Sequence, residues 1–229
     1  MTRRSRSRAC GAAVPVVEVP SRGDLGPDLA RIAAAITKKT RGILINSPCN
    51  PSGYVMSEAE VRAITELAEK HDLWIVSDEI YRRLVYEGAP NYSPVQVSDR
   101  ARARTVIIDG ASKAFAMTGY RIGFCAGPKD VVSGVAKLHS QLTGCPNLVS
   151  QQAYEAALLA EPREVAEMCA QFDKRRRTIV AGLQKMGLET PWPRGAFYAL
   201  VDARELCKKR SIDDVVLCER LLDHAKLAA

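Results

Sequence analysis

The sequence predicts an α/β protein with a mainly parallel sheet and helices on both faces, followed by part of a smaller α+β C-terminal domain. Short continuous apolar runs alternate along the chain with longer segments of helical periodicity, a pattern typical of parallel sheets. After residue 160 this alternation gives way to one long helical segment. We therefore predict a large domain over residues 1–160 and part of a small domain over residues 161–229, which a chain of 229 residues can accommodate.

Six apolar runs predict the strands. Three of them, GILIN, LWIVS and TVIID, are almost wholly apolar up to a polar last residue, which is typical of strands buried on both faces. In chain order, the predicted strands cover residues 12–19, 42–46, 73–77, 105–109, 121–126 and 195–201.

Apolar residues spaced three and four positions apart predict the helices. The second helix has the clearest start, because Ser57 and Glu60 have the spacing of a capping box. The longest helix is predicted to end before Gly187, and its apolar stripe comprises Val165, Met168, Cys169, Phe172, Ile179 and Leu183. The predicted helices cover residues 29–36, 57–71, 128–142, 148–159, 162–186 and 213–227.

The net charge of +7 raises the possibility of a nucleic-acid-binding module. The basic excess lies in short clusters at residues 3–8, 174–177 and 208–210, and aromatic residues make up only 6% of the chain. A surface that binds single-stranded nucleic acid interleaves aromatic and basic residues, whereas these clusters contain no such alternation. We therefore interpret them as solvated surfaces and expect no nucleic-acid partner. No apolar run approaches the roughly 20 residues of a membrane helix, so we expect no membrane partner.

Cysteine and histidine usage favours neither a metal site nor a disulfide framework. The seven cysteines include no C-x-x-C pair, and the three histidines are far apart in sequence. We expect reduced, partly buried thiols, no metal, and a cytoplasmic protein. The Arg- and Ser-rich start of the chain resembles a targeting segment only weakly, and we favour a ragged or artificial start.

Polar side chains follow three of the predicted buried strands. Asn50 comes after GILIN, Asp78 follows LWIVS, and Lys113 follows TVIID. Tyr81 lies about one helical turn beyond Asp78, and Arg121 follows the loop after Lys113. Ligands of open α/β sheets bind beyond the carboxyl ends of the strands, where such groups converge. Each residue alone also fits an ordinary structural role: a loop lysine, a helix cap, a buried aromatic, a surface ion pair. Only their combination predicts a site.

Four segments carry a family resemblance. Residues 46–53 (NSPCNPSG) resemble a loop of pattern N-x-P-x-N-P-S/T-G, and residues 77–81 (SDEIY) resemble a strand end of pattern S/A-D-E-x-Y. Residues 110–123 (GASKAFAMTGYRIG) resemble a Schiff-base segment, and residues 193–198 match P-x-G-A-F-Y. In this order and spacing they are similar to class I/II aminotransferases of pyridoxal-phosphate (PLP) fold type I, within the aspartate-aminotransferase-like branch from bacteria.

The resemblance implies a role for each matched residue. Lys113 would form an imine with PLP and then act as the general base of catalysis. Asp78 would pair with the pyridine nitrogen, Tyr81 and Asn50 would hydrogen-bond the 3′-oxygen, and Arg121 would bind the phosphate. The implied reaction transfers an amino group between an amino acid and a 2-oxo acid, and the implied assembly is a homodimer.

The resemblance also implies that the chain is a fragment, truncated at both ends. Members of the family have a preceding portion with a phosphate loop and a ring-stacking aromatic, and a later segment whose arginine binds the substrate carboxylate. Gly110 stands where many relatives have serine. Two alternatives therefore remain: another fold-type-I PLP enzyme such as a C–S lyase, and a non-catalytic remnant.

Overall fold

In the described residues four strands form one sheet, and all four fall within the apolar runs described above, with ends shifted by a few residues at most. The structure, a computed structural model, describes residues 15–160 and 163–228. In both chain order and spatial order the strands are β1 (Gly42–Asn46), β2 (Trp74–Asp78), β3 (Thr105–Gly110) and β4 (Gly123–Ala126). The first three are parallel, and β4 is antiparallel to β3. The prediction of a mainly parallel sheet is confirmed.

Helices flank the sheet, and the six predicted ones are present with ends shifted by a few residues at most. The helices are α1 (Leu29–Ala35), α2 (Glu58–Lys70), α3 (Asp99–Arg102), α4 (Ala111–Ala114), α5 (Lys129–Leu142), α6 (Leu148–Leu159), α7 (Arg163–Lys185), α8 (Arg204–Arg210) and α9 (Asp214–Ala225). The sequence did not predict α3, α4 and α8, because helices of four to seven residues are too short to show a periodicity. Among the described residues, no helix has both the length and the apolar character needed to cross a membrane.

The first core cluster lies between α2 and the first two strands. The predicted capping box is confirmed: Ser57 Oγ accepts a hydrogen bond from the Glu60 amide at 3.3 Å, and the Glu60 carboxylate accepts one from the Ser57 amide at 2.9 Å. This start aligns the apolar face of α2 with the sheet. The buried members of the cluster are Ile45, Met56, Val61, Ile64, Ala68, Leu73 and Ile75.

The second core cluster joins α7 to the segment after β2. Its buried members are Tyr81, Leu84 and Ala196, and Met168, Cys169 and Phe172 of α7 pack against them. The predicted stripe of α7 is therefore correct in its first half. It is wrong at Ile179, which is 55% exposed, whereas the adjacent Val180 is buried.

Two predicted strands differ from the structure. Residues 12–14 lie outside the described residues, and residues 15–19 form no strand. The predicted strand at residues 195–201 is also wrong, since only an isolated bridge joins Gly195 to Val85. Ala196 adopts a left-handed conformation with φ 56°, which interrupts extended backbone.

The interpretation of the second basic cluster as solvated is wrong for Arg176, whose side chain is 4% exposed. Its guanidinium lies between the rings of Tyr86 and Trp192, at 4.6 and 4.4 Å from their centroids. It also forms ion pairs with Asp173 and, at 3.0 Å, with Glu87. Two carboxylates and two aromatic faces thus compensate the buried charge.

One face of the sheet carries apolar side chains in contact with solvent. The strand register puts Leu44, Trp74 and Ile108 on the face opposite to Ile45 and Ile75. Leu44 is 72% exposed and Ile108 is 42% exposed, whereas Ile75 is fully buried. Within the described residues, the core is therefore built mainly on the α2 side of the sheet.

Candidate active site

The ends of β1 and β2 position the loop that carries Asn50. The Asn46 side-chain amide donates to the Asp78 carbonyl at 3.1 Å, and its oxygen accepts a hydrogen bond from the Asn50 amide at 2.9 Å. The Ser47 amide also donates to the Asp78 carbonyl, at 3.3 Å. Because the register pairs Asn46 with Asp78, one asparagine side chain ties the loop to the end of the neighbouring strand.

Gly53 closes this loop against the segment that contains residues 193–195. Its amide donates to the Cys49 carbonyl at 2.8 Å, and its own carbonyl accepts from the amides of Arg194 and Gly195, both at 2.9 Å. Gly53 has φ +68°, and a Cβ there would lie 2.4 Å from the Cβ of Pro193. Both the conformation and the contact require glycine.

Two tyrosine hydroxyls meet beside Asn50. The hydroxyl of the buried Tyr81 lies 2.7 Å from that of Tyr198, and the Asn50 side-chain amide donates to Tyr198 at 3.3 Å. Burial, the hydrogen bond with Tyr198 and the nearby Asp78 carboxylate together raise the pKa of Tyr81 well above its ordinary value. Tyr81 is therefore held as a neutral phenol that can donate one proton.

Lys113 lies in α4, directly after β3, and its side chain is half-buried. Its Nζ is 5.9 Å from the centroid of the Tyr81 ring and 5.5 Å from that of Phe197. The amine therefore lies over the ring of Tyr81, whose hydroxyl is hydrogen-bonded to Tyr198, the residue that accepts from Asn50. Lys113, Tyr81 and Asn50 thus lie in one group of contacts, and their roles remain a prediction.

The Asp78 carboxylate lies at the carboxyl end of β2. One of its oxygens accepts a hydrogen bond from the Ile80 amide at 3.2 Å, and among the described residues no hydrogen bond engages the other oxygen. Tyr81 follows Asp78 in a turn rather than on a helix. A carboxylate with one free oxygen remains at the end of the strand.

Arg121 stands apart from these contacts. It is exposed, it has φ 52°, and its guanidinium donates to the Thr118 carbonyl in its own loop at 3.1 Å. No ion pair joins it to another side chain in the described part of the molecule. The Ser150 hydroxyl donates to the neighbouring Tyr120 carbonyl at 2.7 Å, which ties this loop to α6.

Phe197 and Tyr198 also belong to this group of contacts, although the sequence indicates no role for them. Both rings contact Tyr81 edge-on, with centroids 5.4 and 5.7 Å away. Consecutive residues of the predicted strand would point to opposite sides, but the left-handed Ala196 ends the extended backbone before them. The P-x-G-A-F-Y motif was the available signal, although it did not reveal this contact.

Metal-binding side chains do not cluster in the described residues. No group of three or more His, Cys, Asp or Glu side chains is placed to hold a metal ion there. Six described cysteines are free thiols, and Cys10 lies outside the described residues. The polar groups of the site are instead an amine, a carboxylate, an amide and two phenols.

Curated relatives of this chain are named as aminotransferases. It is 41% identical over 217 residues to a probable aspartate/prephenate aminotransferase of Thermus aquaticus, a match covering 93% of this chain and 54% of the relative. It is 40% identical over 198 residues to an aspartate aminotransferase of Bacillus subtilis, covering 85% of this chain and 50% of that protein. The chain thus spans about half the length of these relatives.

Solved structures give the same result for the fold. An aspartate aminotransferase from Thermus thermophilus with maleate superposes with a TM-score of 0.81 at 40% identity, covering 87% of this chain and 51% of that one. An aromatic aminotransferase from Pyrococcus horikoshii superposes with a TM-score of 0.86 at 34% identity, covering 93% and 57%. The sequence model of the family described as aminotransferase class I and II matches residues 6–229. This chain belongs to the class I and II aminotransferase family.

Proposed function

We propose that this chain holds PLP and forms part of an aminotransferase that moves an amino group between an amino acid and a 2-oxo acid. The observation that carries the proposal is the position of the Lys113 amine, within 6 Å of the Tyr81 and Phe197 ring centroids. Relatives named as aspartate aminotransferases support the same chemical class. A homodimer is part of the proposal, as the family resemblance implies.

The polar side chains of the candidate site have the chemistry needed to hold PLP. Lys113 Nζ would bind the cofactor covalently, and the free oxygen of Asp78 would face its ring nitrogen. The Tyr81 hydroxyl and the Asn50 amide would donate to its 3′-oxygen. Arg121 would bind the phosphate, because its guanidinium is exposed and, in the described part of the chain, makes a single hydrogen bond, within its own loop.

The residues of this chain would control the transfer of the proton on the substrate α-carbon. When bound, PLP supplies an electron-poor ring that accepts the electron pair left at the substrate α-carbon. Lys113 Nζ would take the proton from the substrate α-carbon and deliver it to C4′ of the cofactor. The Asp78 carboxylate would keep the ring nitrogen protonated, because an adjacent negative charge favours the charged form.

The division into two domains remains part of the proposal. We assign residues 1–160 to a large cofactor-binding domain and residues 161–229 to part of a small C-terminal domain. The start of the long helix α7 at Arg163 supports this boundary.

The test is to purify the 229-residue chain with PLP and record its visible absorbance. Borohydride reduction followed by peptide mass spectrometry then locates the modified lysine. We expect a yellow band in the parent, modification at Lys113, and neither in Lys113→Ala. Lys137→Ala removes an exposed lysine of α5 and serves as the matched control, which should keep the band.

Substrate cycling separates the alternative functions. In a transaminase, adding an amino acid abolishes the yellow band and adding a 2-oxo acid restores it. A C–S lyase would not give this reversal, and a band insensitive to amino acids would indicate a non-catalytic remnant. A folded parent without any band that depends on Lys113 would contradict the proposed function.

A further inference from the structure

We infer that Tyr198 is a positioning residue whose hydroxyl directs the proton of Tyr81 toward the cofactor. This inference rests on the proposed function and adds Tyr198 to the residues that act on the cofactor. The structural basis is a chain of three polar groups: the Asn50 amide, the Tyr198 hydroxyl and the Tyr81 hydroxyl.

Either hydroxyl could donate in the contact between Tyr81 and Tyr198. The direction follows from the proposed function: Tyr81 has one proton and would donate it to the 3′-oxygen, which leaves Tyr198 as the donor between the two hydroxyls. The Asn50 amide nitrogen can only donate, so the Tyr198 oxygen accepts at 3.3 Å. Tyr198 then has one proton to donate, and the Tyr81 oxygen lies 2.7 Å away. With Tyr81 as acceptor, its own proton is free to point away from Tyr198. Asn50 keeps a second N–H for another acceptor.

The direction matters because hydrogen bonds in a chain strengthen one another. A phenol that accepts a hydrogen bond becomes a better donor, by roughly 10–30% in condensed phase. Without the Tyr198 hydroxyl, Tyr81 would keep its proton but lose this polarisation. Tyr81 is buried, so bulk water does not readily replace the missing donor.

The surroundings of the Tyr81 hydroxyl contain few other charged groups. Besides burial, Tyr198 and Asp78 raise its pKa, the Asn50 side chain lowers it, and Lys113 Nζ lies over its ring at 5.9 Å. Donors to the 3′-oxygen stabilise its negative charge and so favour loss of the proton from the cofactor-bound Lys113 nitrogen. A weaker donor at Tyr81 therefore raises the pKa of that nitrogen.

The experiment is a pH titration of the visible absorbance of the PLP-loaded chain. We expect Tyr198→Phe to raise the apparent pKa of the transition by about 0.2–0.6, and Tyr81→Phe to raise it more, because the latter removes the donor itself. The substitution keeps the aromatic ring and removes only the hydroxyl, so the edge contact with Tyr81 is retained. Tyr92, which packs against the first core cluster, supplies the matched control: Tyr92→Phe should leave the titration unchanged.

A double variant separates this role from simple packing. Because Tyr198 acts through Tyr81, adding Tyr198→Phe to Tyr81→Phe should shift the pKa no further. Additive shifts, no shift in Tyr198→Phe, or unfolding of Tyr198→Phe would each overturn the inference while leaving the cofactor assignment intact. A parent without a band that depends on Lys113 would overturn both.

Discussion

At the scale of single residues, Arg176 shows how a charge is accommodated inside a small core. Its guanidinium is stacked between two rings, forms ion pairs with Asp173 and Glu87, and donates to the Pro193 carbonyl. Pro193 belongs to the segment that packs against Gly53 in the Asn50 loop. Arg176 thus connects α7 to the wall of the candidate site.

We expect Arg176→Met to lower the free energy of unfolding by about 2–4 kcal/mol, because methionine fills the space between the rings but leaves polar partners without a donor. Arg177→Met is the matched control, since Arg177 binds the same two carboxylates with a side chain 53% exposed. Arg177→Met should lower the free energy of unfolding by less than about 1 kcal/mol. Urea unfolding followed by circular dichroism measures both, and equal losses would contradict the role of burial.

At the scale of elements, local signals and long-range contacts differ in what they determine. The capping box and apolar face of α2 lie within one short segment, so the sequence predicts that helix correctly. The segment at residues 195–201 has the composition of a strand, but its amides bond two separate partners: Gly195 donates to Gly53 and Ala196 donates to Leu84. No local sequence pattern indicates that these two adjacent amides have acceptors in different segments.

The turn at Gly53 gives a prediction at this scale. Gly53 and Gly88 both have positive φ, at 68° and 65°, but a Cβ would meet Pro193 only at Gly53 and open space at Gly88. Gly88→Ala should therefore cost about 1–2 kcal/mol of stability from conformation alone. Gly53→Ala should cost more and should also weaken PLP binding, because the Asn50 loop must move.

Unfolding in urea and PLP titration by absorbance measure the two effects. Equal stability and equal PLP affinity in the two glycine variants would show that the contact with Pro193 does not position the loop.

At the scale of the whole molecule, the sheet is covered unequally. Ile45 belongs to the first core cluster, whereas the adjacent Leu44 is exposed on the other face. Exposed apolar sheet faces favour association, and β1 is also an edge strand of the described sheet.

We expect Leu44→Lys to leave the chain folded and to lower its self-association, measured by sedimentation velocity over a range of concentrations. Ile45→Lys is the matched variant one residue away, and it should unfold the chain, because it buries an unpaired ammonium group. Unfolding by Leu44→Lys to the same extent would show that this face is covered.

The sequence by itself determined the features whose causes are local. Apolar runs predicted β1, β2, β3 and β4, a capping box predicted α2, and motif spacing predicted Lys113 after the third strand. The tertiary structure alone decided that β4 runs antiparallel, that Arg176 is buried, and that Phe197 and Tyr198 both contact Tyr81. These depend on partners far away in sequence, such as Tyr198 and Tyr81, which no periodicity or composition relates.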